Sequence, residues 1–277
     1  MSVSITNAFV EKWEAGAHVA YQQKGSKLRK TVRRKTGVSG QKLHFRKVGR
    51  GQAGKKSRHG NVPLMNLGHS SVTCTLEDWY AAEYIGRLDQ KKVDDLSISQ
   101  TALDAGGYAL GRKIDELLIG KMDLATNIIG NGSKGFEKGV ALSVFQALNV
   151  NDVPDDGNRF AVLGPHQWNE LLNIEEFKNS DYAGDKYPWL KGTESRTWLG
   201  ITWMFHTGLP LDDSTRKCFA YHQTALGLAE AEEVKGFLDW VPDKAEHLAD
   251  SMLSAGACLI DPEGVIEIQC NDDSVIV

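Results

Sequence analysis

The charge of this chain is distributed very unevenly along its length. Residues 15–76 contain no Asp or Glu, yet they carry fourteen Lys and Arg residues. Residues 1–76 hold 15 basic and 2 acidic side chains, a formal charge of +13, whereas the other 17 basic and 34 acidic side chains give −17, so the net charge of −4 conceals two opposite parts. Such a basic segment is typical of an arm that binds nucleic acid, or of one that lies on an acidic surface, which can belong to another copy of the chain.

The composition is that of a soluble globular protein. The 277 residues are 41% hydrophobic and 25% charged, which allows a sizeable core in one large or two modest domains. No run of about eighteen apolar residues occurs, and the N-terminus does not have the basic-then-apolar order of a signal peptide, so we expect neither membrane insertion nor export. The four cysteines are widely spaced and form no CxxC pair, which predicts reduced, packed thiols rather than a disulfide or a metal site.

The N-terminal part of the chain predicts a helix, an arm and a hairpin. Apolar residues at helical spacing predict a short amphipathic helix over residues 5–22. Residues 24–40 are polar and strongly basic, with too few apolar side chains to fold compactly alone, and predict an extended arm. Residues 42–48 and 72–78 alternate between apolar and polar types, which predicts two strands joined by a long, Gly-rich basic loop.

A long helix is predicted over residues 98–127. Ser97 and Gln100 fit a capping box, and an apolar stripe at a spacing near 3.5 residues follows them. Four glycines inside the helix indicate either close packing against another backbone or a bendable helix. These glycines are Gly106, Gly107, Gly111 and Gly120.

The remainder of the chain predicts a mixed α+β fold. A helix is expected near residues 141–149, a strand over residues 160–164, a helix that begins at Pro165, and mostly β-structure in the last eighty residues. The regular alternation of a parallel βαβ protein is absent.

No motif in the sequence defines a catalytic, metal or cofactor site. Residues 49–55 (GRGQAGK) match GxGxxG and the start of a phosphate-binding loop, but Lys56 stands where Ser or Thr would bind magnesium, and SRHGNVP cannot begin a helix. The eight histidines show no HxxxH or HExxH spacing, and the paired acidic residues lie in turn-like stretches. We therefore expect a protein that is not an enzyme and that has no cofactor or metal.

The basic segment favours self-recognition over nucleic-acid binding, although the second reading stays open. Binding of single-stranded nucleic acid favours aromatic stacking platforms, and Phe45 is the one aromatic residue between residues 24 and 58, although phosphates can be neutralised without them. An arm that cannot bury its own apolar residues needs a partner to become ordered, and acidic groups on adjacent copies can supply one. The residues expected at contacts between subunits are Arg29, Arg33 and Arg34 in the arm, and Lys55, Lys56, Arg58 and His59 in the hairpin loop.

Six stretches, in order, resemble the major capsid proteins of tailed bacteriophages. They are QQKGSKLR (22–29), KKSRHGNVPLMNLGHSSVTCTLEDWYAAEYI (55–85), ALGRKIDE (109–116), FAVLGPHQWNELL (160–172), WLGITWMFHTGLPL (198–211) and CFAYHQTALGLA (218–229). The resemblance implies the Hong Kong 97-type α+β fold. Its parts would be an N-terminal arm (1–38), an extended hairpin or E-loop (39–78), a peripheral domain with a long spine helix (79–139), an axial domain (140–235) and strands that return to the peripheral domain (236–277).

The same resemblance implies a function. It implies a virion protein that is assembled in the host cytoplasm as hexamers and pentamers and forms an icosahedral shell around double-stranded DNA, with which it makes non-specific contacts. Scaffolding, portal and cement proteins would be further partners, and no membrane would be involved. An encapsulin-like compartment shares the fold and is an alternative.

Overall fold

The computed structural model describes residues 22–86, 98–178 and 195–274. The helix predicted over residues 5–22 lies outside them except for its last residue, and so does the predicted cap at Ser97. The described helices are α1 (Ile98–Met122), α2 (Lys138–Val150), α3 (Pro165–Asn173) and α4 (Glu175–Lys178). The described strands are β1 (Arg33–Lys35), β2 (Lys42–Val48), β3 (His69–Thr75), β4 (Glu77–Gly86), β5 (Asn127–Ile129), β6 (Arg159–Leu163), β7 (Arg196–Trp198), β8 (Ile201–Phe205), β9 (Leu211–Asp212), β10 (Thr215–His222), β11 (Leu226–Val241), β12 (Glu246–Leu259) and β13 (Val265–Asn271).

The predicted hairpin is confirmed. Strands β2 and β3 pair antiparallel from Lys42 opposite Thr75 to Val48 opposite His69, and residues 49–68 form the loop between them. The strand predicted over residues 72–78 is in fact divided at the buried Leu76, whose main-chain N–H donates to Gln41 O at 2.9 Å. From there the chain leaves the hairpin and enters β4, a strand that the sequence analysis missed.

A four-stranded sheet carries the long helix. Its order is β1-β11-β12-β4, with β1 parallel to β11 and the other neighbours antiparallel. Helix α1 packs on this sheet through side chains spaced four residues apart, Leu110, Ile114, Leu118 and Met122, all buried. With 25 residues the helix is about 38 Å long.

Helix α1 ends five residues earlier than the sequence predicted. Its last turn closes with bonds from the N–H of Leu124 to Lys121 O and from the N–H of Ala125 to Met122 O. Residues 127–129 are then recruited as β5, which pairs in parallel with β13, so pairing with a distant strand overrides the local helical pattern.

A seven-stranded mixed sheet forms the other part of the fold. Its order is β5-β13-β10-β6-β8-β7, and β9 pairs with β10 at one end. The large side chains of Phe136, Trp203, Phe219 and Tyr221 fill its core, and α2 and α3 flank it. The predicted helix near residues 141–149, the strand at 160–164, the helix from Pro165 and the β-rich C-terminal region are confirmed, with bounds that shift by three residues or fewer.

Two of the four helix glycines lie where another part of the chain comes very close. A Cβ added at Gly111 would lie 2.5 Å from the Cα of Gly25 in the arm, and one at Gly106 would lie 2.9 Å from Ser251 Oγ. By contrast, a Cβ at Gly120 would meet no atom within 4 Å. Close packing therefore explains Gly111 and Gly106, and Gly111 is where the basic arm crosses the helix.

Candidate assembly surfaces

The described part of the arm does not project freely but is packed on the body of its own chain. Leu28 and Val32 are buried in the main core, and Thr31 Oγ1 lies 2.5 Å from the hydroxyl of the buried Tyr221. The prediction of an arm that supports no core is therefore wrong for residues 28–32. Two apolar side chains in a basic stretch were too few to predict a buried segment from the sequence. They are nevertheless enough to anchor the arm, because the body of the protein offers an apolar surface on which they pack.

A buried carboxylate holds this part of the arm in place. Asp115 of α1 has no exposed surface, and it accepts hydrogen bonds from the main-chain N–H groups of Lys27 and Leu28 at 3.0 and 3.1 Å. Ser26 Oγ donates to it at 2.5 Å and Gln23 Nε2 at 2.6 Å. Four hydrogen-bond donors of the arm thus surround one carboxylate, in the way that donors surround a bound anion.

The same carboxylate also contacts the seven-stranded sheet through His206. Nε2 of His206 lies 2.9 Å from Asp115 Oδ2, and the main-chain N–H of Gly208 donates to Nδ1 of the same ring at 2.9 Å. Because Nδ1 accepts, Nε2 carries the ring hydrogen and donates to Asp115. Burial by itself raises the pKa of Asp115, but the hydrogen bonds from His206, Ser26 and the arm outweigh burial and hold this pKa below its ordinary value.

Two of the three arm arginines have acidic partners within their own chain. Arg29 donates through Nε and Nη2 to the two carboxylate oxygens of Glu230 at 2.7 and 2.8 Å, and it also contacts Glu233 at 3.0 Å. Arg34 lies 3.9 Å from both acids. Their partners were expected on adjacent subunits. The parallel pairing of β1 with β11 instead places the arm directly beside Glu230, which follows the last paired residue, Ala229.

The third arginine covers the one aromatic ring of the basic segment. Arg33 lies over the ring of Phe45 with its guanidinium carbon 5.5 Å from the ring centroid. Phe45 itself is buried with Cys74, Leu76 and Cys258 in a small core beneath the hairpin. A ring in that position cannot serve as a stacking platform for a nucleic-acid base.

The hairpin loop is a thin, exposed ribbon. The N–H of Gly49 donates to Gly68 O at 2.7 Å, and further along a Cβ added at Gly51 or Gly54 would collide with the Met65 or Pro63 side chain, so the two sides of the loop run close together. The part of the phosphate-loop motif that requires a helix is missing, because residues 49–68 contain none. The long, Gly-rich loop predicted between the two strands is confirmed.

The predicted contact residues of this loop have no partner in the described part of the chain. Lys55, Lys56, Arg58 and His59 are exposed and form no hydrogen bond or ion pair there. The loop also exposes three apolar side chains, Val62, Leu64 and Met65, of which Leu64 is 83% exposed. A segment that carries unpaired cations beside exposed apolar side chains has the features of an unoccupied protein contact.

The base of the loop contacts the body mainly through ion pairs. Arg50 lies 3.1 Å from both Asp152 and Glu263 and donates to the main-chain oxygen of Asn151 at 2.9 Å, and the half-buried Lys47 lies 2.8 Å from Asp261. Exposed ion pairs contribute about 0 to 1 kcal/mol each. These contacts orient the start of the loop, while the small core around Phe45 holds the hairpin strands on the body.

A second exposed surface lies at the far end of the four-stranded sheet. The outer edge of β11 over residues 236–241 has no partner strand among the described residues, because β1 pairs only with residues 227–229. Exposed acidic residues here include Glu83, Asp239 and Asp243, and Lys244 lies over the Tyr84 ring. The pairing register places the exposed Tyr80, Tyr84 and Phe237 on one face of the sheet, and Leu238 and Trp240 on the face that carries α1.

Within the described residues, no group of three or more His, Cys, Asp or Glu side chains could hold a metal ion. None of the described helices combines the length and the apolar character needed to cross a membrane.

This chain has the parts of the Hong Kong 97-type fold of shell-forming proteins. They are a long spine helix on a four-stranded sheet, a projecting hairpin, an arm packed on the body and a second, mixed sheet. The chain belongs to the phage capsid protein family, whose model matches residues 5–272. It is accordingly a structural protein of the phage head shell and not an enzyme.

Solved structures of low sequence identity share this fold over nearly the whole chain. The head structure of Helicobacter pylori bacteriophage KHP40 matches with a TM-score of 0.79 at 13% identity and covers 99% of both chains. The capsid of cyanophage P-SCSP1u matches with a TM-score of 0.73 at 15% identity and covers 98% of this chain and 95% of its own. A virus-like particle from Pyrococcus furiosus matches with a TM-score of 0.59 at 14% identity, covering 88% of this chain and 92% of its own. No curated protein sequence gives a match.

Proposed function

We propose that the chain assembles in the host cytoplasm as hexamers and pentamers of an icosahedral head, with double-stranded DNA inside. The observation that carries this proposal is the hairpin loop, whose cations and apolar side chains have no partner in the described part of their own chain. The acidic and aromatic end of the four-stranded sheet has the complementary character, so the loop of one subunit fits the sheet of the next. Scaffolding, portal and cement proteins are further proposed partners.

The proposed division of the chain follows from this arrangement. The arm (1–38) would lie on the body, the E-loop (39–78) would reach a neighbour, the peripheral domain (79–139) would contain the spine helix, and the axial domain (140–235) would contact the centre of each capsomer. Residues 236–277 would return to the peripheral domain. Among the predicted contact residues, Lys55, Lys56, Arg58 and His59 are the strongest, since Arg29 and Arg34 already pair within the subunit.

The contact role of the loop can be tested by charge reversal. We expect the triple variant Lys55→Glu, Lys56→Glu, Arg58→Glu to melt like the natural chain, because these side chains are exposed, but to remain unassembled in sedimentation and electron microscopy. The matched control is Lys55→Arg, Lys56→Arg, Arg58→Lys, which keeps the charge and should build shells. Normal shells from the Glu variant would disprove the contact role.

The nature of the shell's contents needs a separate measurement. A phage head filled with double-stranded DNA and a compartment filled with protein cargo can share one fold, since a fold does not determine its contents. Absorbance at 260 nm relative to 280 nm distinguishes them in purified particles. A protein-like ratio in particles from infected cells would favour the cargo compartment.

A further inference from the structure

Two of the four cysteines face each other where the hairpin crosses the four-stranded sheet. Cys74 lies on β3 and Cys258 on β12, and both are buried in the small core beneath the hairpin. A Cβ added at Gly227, opposite Cys258, would lie 2.9 Å from the Cys258 sulfur and 2.8 Å from the Phe45 ring, so this sulfur is on the side of β12 that meets the hairpin. Gly256 shares a face of β12 with Cys258, and a Cβ added there would lie 3.3 Å from the Cys74 sulfur. The two side chains thus meet at one point of contact between hairpin and body.

A glycine lets the hairpin backbone approach β12 closely. A Cβ at Gly256 would also lie 2.0 Å from the main-chain oxygen of Thr75, so the β3 backbone lies directly against β12. Sheets that pack face to face are normally about 10 Å apart, whereas a disulfide needs Cα atoms about 4.4 to 6.8 Å apart. At Gly256 the β3 backbone lies closer to β12 than packed sheets normally do, so the usual spacing between sheets does not separate the two cysteines.

We propose that Cys74 and Cys258 form a disulfide that locks the hairpin to the body of its subunit once the protein meets an oxidising environment. The thiols are free in this structure, as expected for a chain made in a reducing cytoplasm. A virion later leaves that compartment, so oxidation after assembly would fix the hairpin in its final position. This timing, but not the disulfide itself, rests on the proposed function.

The surroundings of the pair favour a single thiolate. The neighbouring Cys258 thiol, together with the main-chain N–H of Ala229 and the charge of Lys121, lowers the pKa of Cys74 in spite of its burial, whereas the neighbouring Cys74 and burial raise the pKa of Cys258. Two such close thiols share their ionisation, so either sulfur can start the reaction once the pair has lost one proton. Cys258, Thr75 and Lys121 line an open cleft between α1 and the hairpin, through which a small oxidant reaches the pair from the Cys258 side.

Hydrogen peroxide is an oxidant small enough for this cleft. One of the two sulfurs, as the thiolate, attacks one peroxide oxygen. The O–O bond breaks, hydroxide departs, and that cysteine becomes a sulfenic acid. The sulfur of the other cysteine then attacks it, the S–S bond forms, the S–O bond breaks, and the proton of the second thiol leaves with the hydroxyl group as water. Two thiols and one peroxide become one disulfide and two waters, since the proton first lost by the attacking cysteine neutralises the hydroxide.

The other two cysteines provide an internal control. In the pairing of β10 with β13, Cys218 lies opposite Ile268 and Cys270 lies opposite Arg216, so the two cysteines are diagonal neighbours. Diagonal Cβ atoms in a sheet are about 7 Å apart, too far for a disulfide. Burial raises the pKa of Cys218 to about 12 and also raises that of Cys270, so both should stay reduced.

The test uses the full chain. Purified, fully reduced protein is treated with hydrogen peroxide, denatured, alkylated and analysed by peptide mass spectrometry. We expect one joined peptide pair containing Cys74 and Cys258, with Cys218 and Cys270 alkylated. Four alkylated cysteines, a link through Cys218 or Cys270, or Cys74 oxidised to sulfinic acid without a link would each overturn the proposal. This readout does not require shells, so failure to assemble would contradict the proposed function and leave the disulfide standing.

Single substitutions distinguish the effect of the Cys74–Cys258 disulfide from other effects of peroxide. With Cys258→Ser we expect no link and a sulfenic acid on Cys74 that a dimedone-type reagent traps, whereas Cys218→Ser should leave the link intact. In the natural chain, oxidation should slow amide exchange in β2 and β3 by about a hundredfold, because a bridge that closes so long a chain segment strongly restricts opening. Peroxide should not slow exchange in the Cys258→Ser variant. A link that forms without slowing exchange would refute the locking role.

Discussion

Arg29 and Glu230 form a two-point ion pair in which the Glu230 side chain is completely buried and both of its oxygens are bound. The pair joins the basic arm to the last residue before β11 bulges away from β12. Its position shows that the arm is part of the fold of its own subunit.

Removal of this arginine should destabilise the isolated subunit. We expect Arg29→Ala to lower the free energy of unfolding by about 2 to 4 kcal/mol, because it leaves a buried carboxylate with only a distant second cation, Arg34. Chemical unfolding of the unassembled chain measures the change. Lys30→Ala is the control: Lys30 is exposed and should change stability by no more than about 0.5 kcal/mol. Equal effects of the two substitutions would show that the ion pair is unimportant.

Asp115 should make the attachment of the arm sensitive to acid. The pKa of Asp115 lies below its ordinary value in the folded chain, so the unfolded chain takes up the proton first as the pH falls. The stabilisation is therefore complete above the unfolded-state pKa of about 3.9 and is lost as the pH falls through the lower folded-state value.

The direction of this pH dependence can be tested by comparing two Asp→Asn variants. We expect Asp115→Asn to cost about 2 to 3 kcal/mol at neutral pH and progressively less below about pH 4, where the natural chain also loses its charge. Asp104→Asn, on an exposed part of the same helix, should show a small and nearly constant difference. A loss of stability in Asp115→Asn that does not vary between pH 7 and pH 3 would contradict the role of the charge.

Two glycines of α1 should respond oppositely to the same change. Gly111→Ala places a methyl group 2.5 Å from the arm backbone and should cost about 1 to 3 kcal/mol by displacing the arm. Gly120→Ala meets open space and should stabilise the helix by about 0.5 to 1 kcal/mol. Thermal unfolding of both variants measures the difference, and a destabilised Gly120→Ala would show that the helix requires flexibility there.

The hairpin loop should be ordered by its neighbour. We expect amides of residues 51–67 to exchange almost freely in unassembled subunits and to become protected in particles, because the thin ribbon has little burial to offset its conformational entropy. Strong protection in the unassembled subunit would contradict this.

Shortening the loop gives a complementary measurement. Replacement of residues 49–68 by Asn-Gly should keep β2 and β3 paired, since this turn matches the twist of a hairpin. The variant should melt cooperatively and yet fail to form shells in electron microscopy. If the shortened variant formed shells of normal size, the loop would not be needed for assembly.

Local patterns in the sequence predicted the elements with strong periodicity. The alternation in residues 42–48 and the apolar stripe of α1 gave the hairpin and the spine helix correctly. The arm was misjudged because its anchors are distant: Asp115 lies 87 residues from Leu28, and Glu230 lies 201 residues from Arg29. No periodicity within the arm can report such partners. The sequence did offer one indication: Asp115 follows the buried Ile114 on a helix that packs against a sheet, and a carboxylate in that position needs hydrogen-bond donors from elsewhere in the chain.

The parallel pairing of β1 with β11 also determines the order in which a newly made subunit can fold. Residues 33–35 are synthesised long before residues 227–229, the strand beside which they lie. Contacts so far apart in sequence form late, because the intervening chain must first be closed into a loop. During synthesis the cationic segment is therefore in water without its acidic partner, and the subunit cannot secure its arm until residues 227–230 have left the ribosome.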